Sequence, residues 1–304
     1  MAILLALFSA VAYGLSDFVG GFVSRRTSAW AVAVVAQMSA TGCTALIAAF
    51  VSGSPTSRDF AWSVLAGAAS GIGAGFLYRG FSSGRMSVVA PVSAVGAALV
   101  PVLVGSFGGE RLSLVVWAGI VVALPGIWLV SSSTDELGPP EDPAGTDGVG
   151  GAAGADGAVG VTSRAKESTA EGLVDGILAG LGFGVLFAAL GQVPEEAGLW
   201  PLAAAQAMSI PAVILLALGL RAAWVPRGRA VWWALAAGPL GATATGAFLL
   251  ASQSGFLTVA GVLTSLYPAT TVLLAALVLH ERIHRAQGLG LGLCGLAIAL
   301  VAGG

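Results

Sequence analysis

Ten apolar runs follow one another along this chain of 304 residues, and each is long enough to cross a lipid bilayer as a helix. A helix needs about 20 mostly apolar residues to span the hydrocarbon core. The breaks between the runs are short and rich in charged or turn-forming residues, with one exception. The expected spans are residues 2–23, 29–52, 60–80, 86–107, 113–131, 172–190, 198–220, 229–251, 256–279 and 286–303.

The composition excludes a soluble protein. Hydrophobic residues make up 57% of the chain and charged residues only 9%, whereas about 25% of the residues of an ordinary soluble domain are charged. The 13 Lys and Arg residues do not outnumber the 15 Asp and Glu residues, so a nucleic-acid partner is not expected. Cys43 and Cys294 each lie in an apolar run, which predicts neither a disulfide framework nor a metal cluster. A chain with so few charged residues is expected to have the lipid bilayer as the partner of its outer surface.

The one long break divides the expected spans into five and five. Residues 132–171 are rich in Gly, Ala, Pro and acidic residues and contain no aromatic residue. Such a segment cannot bury enough apolar surface to offset its ordering entropy, so it is predicted to be a disordered acidic linker. The expected organisation is a first five-helix repeat at 1–131, the linker at 132–171 and a second five-helix repeat at 172–304.

The two halves resemble each other in sequence. A constant offset of 171 aligns residues 85–113 with residues 256–284 and pairs Glu110 with Glu281 and Arg111 with Arg282. Because each half has an odd number of spans, the second copy must be inverted in the membrane relative to the first. The predicted fold class is therefore an all-α polytopic membrane protein with ten transmembrane helices in two inverted repeats. Inverted repeats are typical of secondary transporters, whose substrate site lies near the membrane midplane between the halves.

Positive charges predict the orientation. Of the 13 Lys and Arg residues, all but Arg58 and Arg111 lie in connections that follow odd-numbered spans. The positive-inside rule then places these connections and the linker in the cytoplasm, with both termini outside. The expected location is the cytoplasmic membrane.

Asp17 is the sharpest candidate for function. It lies within the first expected span, on one helical face with Tyr13 and Ser16. A carboxylate at this depth is costly unless it is paired, hydrated or protonated, and intramembrane ionisable groups are by default functional candidates. A structural role, in which a neighbouring hydroxyl or amide bonds the carboxylate, is the alternative.

Other polar side chains at membrane depth are further candidates for a substrate-binding or ion-coupling site. They are Gln37 in the second span, Gln206 in the seventh, and Thr264, Tyr267 and Thr271 in the ninth. For each Gln or Thr taken alone, hydrogen bonding between helices is the commoner role. Prolines in the fourth and ninth spans predict irregular helices there. The fifth and tenth spans are almost entirely apolar and are expected at the periphery, facing lipid or the second subunit of a homodimer.

A zinc-protease pattern, His-Glu-x-x-His, occurs at residues 280–284. No acidic residue follows Glu281 to act as a third metal ligand, and the matching segment 109–113 of the first half has no histidine. No metal, cofactor or enzymatic activity is therefore expected. A phosphate-binding loop of the ATPase type is also absent from the sequence.

Three motifs carry a family resemblance. They are Gly-Glu-Arg-Leu-Ser at 109–113, its counterpart Glu281-Arg282, and the segment Tyr-Gly-Leu-Ser-Asp-Phe at 13–18. The sequence resembles the drug/metabolite transporter superfamily, in particular its EamA-like members. The resemblance implies a cavity lined by spans one to four and six to nine, with spans five and ten outside. It also implies movement of small metabolites or drugs by ion exchange or facilitated diffusion.

The resulting expectation is a secondary transporter that moves a small solute by alternating access, with Asp17 as a proton carrier or as the contact for a cationic group. One alternative is an uncoupled facilitator in which Asp17 is structural. A second alternative is a membrane scaffold that transports nothing.

Overall fold

The structure, a computed structural model, describes residues 1–83, 86–131, 155–278 and 284–304. Within these ranges the regular structure is helical throughout, without strands. In chain order the helices are α1 (Ala2–Ser24), α2 (Ala29–Ala48), α3 (Ser57–Ser82), α4 (Met86–Phe107), α5 (Leu114–Ser131), α6 (Ala155–Leu190), α7 (Trp200–Gly219), α8 (Ala237–Gln253), α9 (Leu257–Thr264), α10 (Tyr267–Val278) and α11 (Arg285–Gly303).

These helices make up the ten expected spans. In the described residues, nine segments are long and apolar enough to cross a membrane, and the apolar helix at Leu114–Val130 is somewhat shorter. A 3₁₀ segment, Ala230–Ala236, leads directly into α8, and the two together form the eighth span. The helices α9 and α10 together form the ninth span. The predicted all-helical polytopic membrane fold is confirmed.

The sixth helix is longer than its sequence predicted. We expected the sixth span to begin near residue 172, and its apolar part does run from Glu171 to Leu190. The helix itself begins at Ala155, so the last part of the segment expected to be a disordered linker is helical. Five of the seven residues from 165 to 171 are Ala, Lys or Glu, and these are good helix formers. The rest of the expected linker, residues 132–154, lies outside the described residues.

Of the two spans expected to be irregular, only the ninth is interrupted. Ser265 and Leu266 separate α9 from α10. Pro268 is the second residue of α10. The N–H groups in the first turn of a helix have no acceptor within it, so the N–H that proline lacks costs α10 no hydrogen bond. The fourth span is a continuous helix although it contains Pro91 and Pro101.

Contacts between the fifth helices of the two halves show the inversion directly. Gly119, near the start of α5, lies against Val301, near the end of α11. Gly126, further along α5, lies against Cys294, which comes earlier in α11. The equivalent helices of the two repeats therefore run antiparallel, as the odd number of spans in each half requires.

The two halves also interlock through exchanged pairs of helices. The fourth span of the first half, α4, packs against the first helix of the second half, α6. The equivalent pair is also in contact, because α1 packs against α9 and α10. In the same way, α3 packs against α7 and α2 packs against α8. Glycines permit the closest of these approaches, because a side chain at Gly180 of α6 would overlap the backbone of Ser93 and Gly96 on α4.

Candidate functional site

A cavity lies between the two halves of the bundle. Its walls come from α1, α2 and α3 of the first half and from α6, α7, α8 and α10 of the second. The cavity has a volume of about 60 Å³, which is room for several water molecules. None of the described residues of α4, α5 or α11 lines the cavity. The cavity is thus a feature of the interface between the repeats.

Asp17 of α1 lines this cavity and is only 8% exposed. The other buried acids of the described chain have partners: Asp59 accepts a hydrogen bond from the Thr56 N–H at 2.7 Å, and Asp175 is paired with Arg79. No described residue donates a hydrogen bond to the Asp17 carboxylate or forms an ion pair with it. Of these three buried acids, Asp17 alone presents its carboxylate to the cavity without a protein partner.

All three tyrosines of the chain line the cavity with Asp17. The Tyr13 hydroxyl forms a hydrogen bond of 2.8 Å with Thr245, and the Tyr267 hydroxyl forms one of 3.2 Å with Ser93 of α4. Tyr78 of α3 packs on Gly20, one turn beyond Asp17, where any side chain would overlap its ring and hydroxyl. Tyr78 is a lining residue that the sequence-based prediction missed. The signal was present, because every tyrosine of the chain lies in an apolar span.

Aromatic rings form one wall of the cavity. Phe183 and Phe187 of α6 line it, and the ring centroids of Tyr13 and Phe187 are 5.8 Å apart in an edge-to-face arrangement. The ring centroids of Tyr13 and Tyr267 are 6.4 Å apart. The sixth span contributes aromatic surface rather than polar groups, which explains why its nearly apolar sequence did not suggest a cavity.

The two candidate glutamines come from different halves of the molecule. Gln37 of α2 donates from Nε2 to the Ser70 hydroxyl at 3.2 Å. Gln206 of α7 is 5% exposed, and its side-chain amide has no hydrogen-bond partner among the described residues. Ser16, beside Asp17, donates to the Ala237 carbonyl at 3.0 Å. The structure therefore brings Gln37, Gln206 and Ser16 to the same cavity as Asp17.

Thr264 and Thr271, two of the proposed site residues, do not line the cavity. Thr264 is fully buried, and its hydroxyl lies 3.4 Å from the Ala6 carbonyl of α1. The Thr271 hydroxyl lies 3.2 Å from the Tyr267 carbonyl of its own helix and 3.5 Å from the Gly14 carbonyl of α1. Their hydroxyls face backbone because the break between α9 and α10 packs directly on α1. In the structure these two threonines join helices.

The fourth span also departs from what the family resemblance implied. No α4 residue whose side chain is described lines the cavity, although Ser93 forms a hydrogen bond with the Tyr267 hydroxyl. The helices α5 and α11 pack on each other and expose large apolar side chains such as Leu114 and Leu289. Both helices lie away from the cavity, where they are suited to contact lipid.

Most of the His-Glu-x-x-His motif, residues 280–283, lies outside the described residues. Within the described ranges, no three His, Cys, Asp or Glu side chains come together as a metal site would require.

The model of the EamA-like transporter family matches residues 1–132 and 171–303, which is most of the chain. The chain belongs to the EamA-like transporter family. This EamA-like protein is accordingly a multi-pass membrane transporter of small solutes, with a small-molecule solute and membrane lipid as its partners. Its family is not one of enzymes.

A crystal structure superposes on the EamA-like protein with a TM-score of 0.69. The alignment covers 98% of this chain and 95% of the other, at 14% sequence identity. At that identity the likeness shows a common fold and nothing about substrate. No curated protein matches the chain.

Proposed function

We propose that this EamA-like protein moves its solute across the cytoplasmic membrane by alternating access, with the Asp17 cavity as the binding site. The observation that carries the proposal is the position of an unpartnered, buried carboxylate in a cavity between two inverted repeats. Midplane sites between inverted repeats are the usual arrangement in secondary transporters. The substrate-binding or ion-coupling residues are Tyr13, Ser16, Asp17, Gln37, Gln206 and Tyr267.

Two polar contacts between the halves support a rocking motion, and they lie at opposite ends of the molecule. Arg79, at the end of α3, pairs with Asp175 of α6. Glu110, after α4, accepts hydrogen bonds from the N–H groups of Leu257 and Thr258 at the start of α9. One contact must separate when the cavity opens to one side, and the other when it opens to the opposite side. Both contacts are formed in this structure, which is the arrangement expected midway through such a cycle.

Asp17 is the proposed coupling residue. A carboxylate at membrane depth is stabilised by a proton, by a solute cation or by water, and it exchanges one for another as the cavity opens. The connections after odd-numbered spans, with Arg79, face the cytoplasm in this proposal, in line with the distribution of positive charge. The exposed faces of α5 and α11 suit contact with lipid or with a second copy of the chain.

Transport in proteoliposomes tests the proposal. A thermal-shift screen against amino acids, nucleosides, sugars and cationic dyes first selects a stabilising solute. Wild-type protein should then accumulate that solute when a pH gradient is imposed. Asp17→Asn should lose gradient-driven accumulation and keep its thermal unfolding temperature within a few degrees. Glu195→Gln, an exposed acid in the loop before α7, is the charge-matched control.

The two alternatives give different results in the same assay. An uncoupled facilitator would move the solute equally well with and without a pH gradient or a membrane potential, and Asp17→Asn would not change the rate unless it unfolded the protein. A membrane scaffold would move no solute from the screen. Either outcome contradicts coupling through Asp17.

A further inference from the structure

The described lining of the cavity contains negative charge without positive charge. Among the described residues that line the cavity, Asp17 is the only acidic one, and none is Lys, Arg or His. The basic residue next to the cavity in sequence, Arg79, lies over the Phe76 ring and pairs with Asp175 instead. A solute in the cavity therefore meets one carboxylate and no compensating cation.

We propose that the transported solute is an organic monocation, an amine or quaternary ammonium compound with small apolar substituents, held by the Asp17 carboxylate. This assignment rests on the proposed function, because it names the substrate class of the same cavity. The carboxylate is more than nine-tenths buried, has no protein partner and faces the cavity. A cation supplies the missing partner, whereas the carboxylate of an anionic solute would be repelled and would find no Lys or Arg.

The aromatic rings around Asp17 favour the same class. Tyr13, Tyr78 and Tyr267 surround the carboxylate, and Phe187 packs edge-to-face on Tyr13. The faces of aromatic rings attract cations, and cages of such rings are the usual receptor for quaternary ammonium groups. The combination of one carboxylate and several rings suits a charged nitrogen carrying apolar substituents.

The hydrogen-bonding groups of the lining argue against a sugar. The hydroxyls of Tyr13, Ser16 and Tyr267 are already bonded to Thr245, to a carbonyl of α8 and to Ser93. A polyhydroxylated solute needs many free donors and acceptors, because a buried polar group without a partner is costly. Among the described lining groups, the Asp17 carboxylate, the Gln206 amide and the amide oxygen of Gln37 remain for this purpose, which is enough to orient a small cation.

A charge series of nearly constant shape tests the assignment. The probes are choline, its neutral carbon analogue dimethylbutanol, and the anion dimethylbutanoate, each titrated calorimetrically into the full-length protein in lipid nanodiscs. Choline should bind the wild type about tenfold or more tightly than dimethylbutanol, because it adds a Coulombic attraction to the Asp17 carboxylate and a cation–π contact. Equal binding of the two, tighter binding of the anion, or no binding of choline overturns the assignment.

Variants locate the effect within the cavity. Asp17→Asn should abolish the preference for choline over dimethylbutanol, whereas Glu195→Gln should retain it. Tyr13→Phe keeps the ring and should keep the preference, but Tyr13→Leu removes the ring and should weaken it severalfold. A preference for choline that persists in Asp17→Asn overturns the assignment.

Binding is measured here without transport, so the two proposals can fail separately. Loss of charge selectivity counts against the organic cation alone. Selective binding of choline without any choline counterflow in proteoliposomes counts against transport through this cavity and leaves the cation site standing.

Discussion

Arg79 of α3 and Asp175 of α6 form an ion pair that joins the two inverted halves. The Arg79 Nε donates to Asp175 Oδ1 at 2.9 Å, and the guanidinium lies 4.7 Å from the centroid of the Phe76 ring. The Asp175 side chain is fully buried, whereas 33% of the Arg79 side chain is exposed. Asp175 Oδ2 has no hydrogen-bond partner among the described residues. The buried Asp175 carboxylate therefore depends on the ion pair more than the partly exposed Arg79 guanidinium does.

That asymmetry predicts unequal losses of stability. Arg79→Gln leaves a buried carboxylate without a countercharge and should lower the free energy of unfolding by about 3–5 kcal/mol. Asp175→Asn should cost less, because the partly exposed Arg79 can still reach water. The double variant should be more stable than Arg79→Gln alone. Denaturation by SDS titration in mixed micelles measures all three, and an Arg79→Gln variant as stable as the wild type would contradict the prediction.

The same ion pair should influence which side of the cavity is open. Breaking a contact between α3 and α6 favours opening at the end that bears Arg79. A cysteine at Ala74, which lines the cavity, should react faster with a membrane-impermeant maleimide in Asp175→Asn than in the parent. The parent for this test carries Cys43→Ser and Cys294→Ala.

Sided vesicles give that labelling experiment a direction. The increase is expected only in inside-out vesicles, because the connection after the third span is assigned to the cytoplasm. Glu195→Gln should label at the parental rate. A faster reaction in right-side-out vesicles would contradict the proposed orientation, and an unchanged rate in both would contradict the role of the ion pair in access.

Glu110 should stabilise the opposite end of the molecule. Its carboxylate accepts the N–H groups of Leu257 at 2.6 Å and Thr258 at 3.1 Å, which have no acceptor within α9. Glu110→Ala should lower the free energy of unfolding by about 2–4 kcal/mol, because both charge-assisted bonds are lost. Glu110→Gln retains one carbonyl acceptor and should lose less. Thermal unfolding in detergent ranks the two variants, and the reverse order would falsify this account of the cap.

Two helical glycines should respond in opposite ways to alanine. A Cβ at Gly180 would lie about 3 Å from the backbone of α4, at Ser93 and Gly96. A Cβ at Gly42 of α2 would meet nothing within 4 Å. Gly180→Ala should therefore destabilise by about 1–3 kcal/mol through overpacking. Gly42→Ala should be neutral or stabilising, since alanine favours a helix. Unfolding temperatures of the two variants, measured side by side, decide the matter; similar losses would refute close packing at Gly180.

Much of the fold could be read from the sequence because membrane helices are long and apolar. The ten runs, the repeat offset of 171 and the odd number of spans predict an inverted pair of bundles without any tertiary information. The same reasoning also singled out Asp17, because a carboxylate in an apolar run stands out. It placed Gln37, Gln206 and Tyr267 among the candidates for the same reason.

Sequence periodicity could not separate the cavity from the helix contacts. Thr264 and Tyr267 lie within a single turn of each other in sequence, yet Tyr267 lines the cavity and Thr264 bonds the backbone of α1. The ninth span is interrupted between them at Ser265 and Leu266, and the effect of that interruption depends on how α1 packs there. The aromatic wall from Phe183 and Phe187 escaped notice because apolar side chains in a membrane helix give no sign of which neighbour they face.

The sequence by itself determined the solvent of this protein, the number of its spans, the inversion of its halves and the position of an acid, Asp17, at membrane depth. These properties depend on the hydropathy of short segments and on the number of such segments, and both can be read along the chain without knowing its tertiary contacts. Only the tertiary structure decided which polar residues share a cavity with Asp17. It also decided that Arg79 pairs with Asp175, which leaves Asp17 without a partner, and that three tyrosines from three helices surround the Asp17 carboxylate. Those outcomes depend on how helices far apart in sequence are rotated and how closely they approach. Packing at glycines and contacts with the backbone set both.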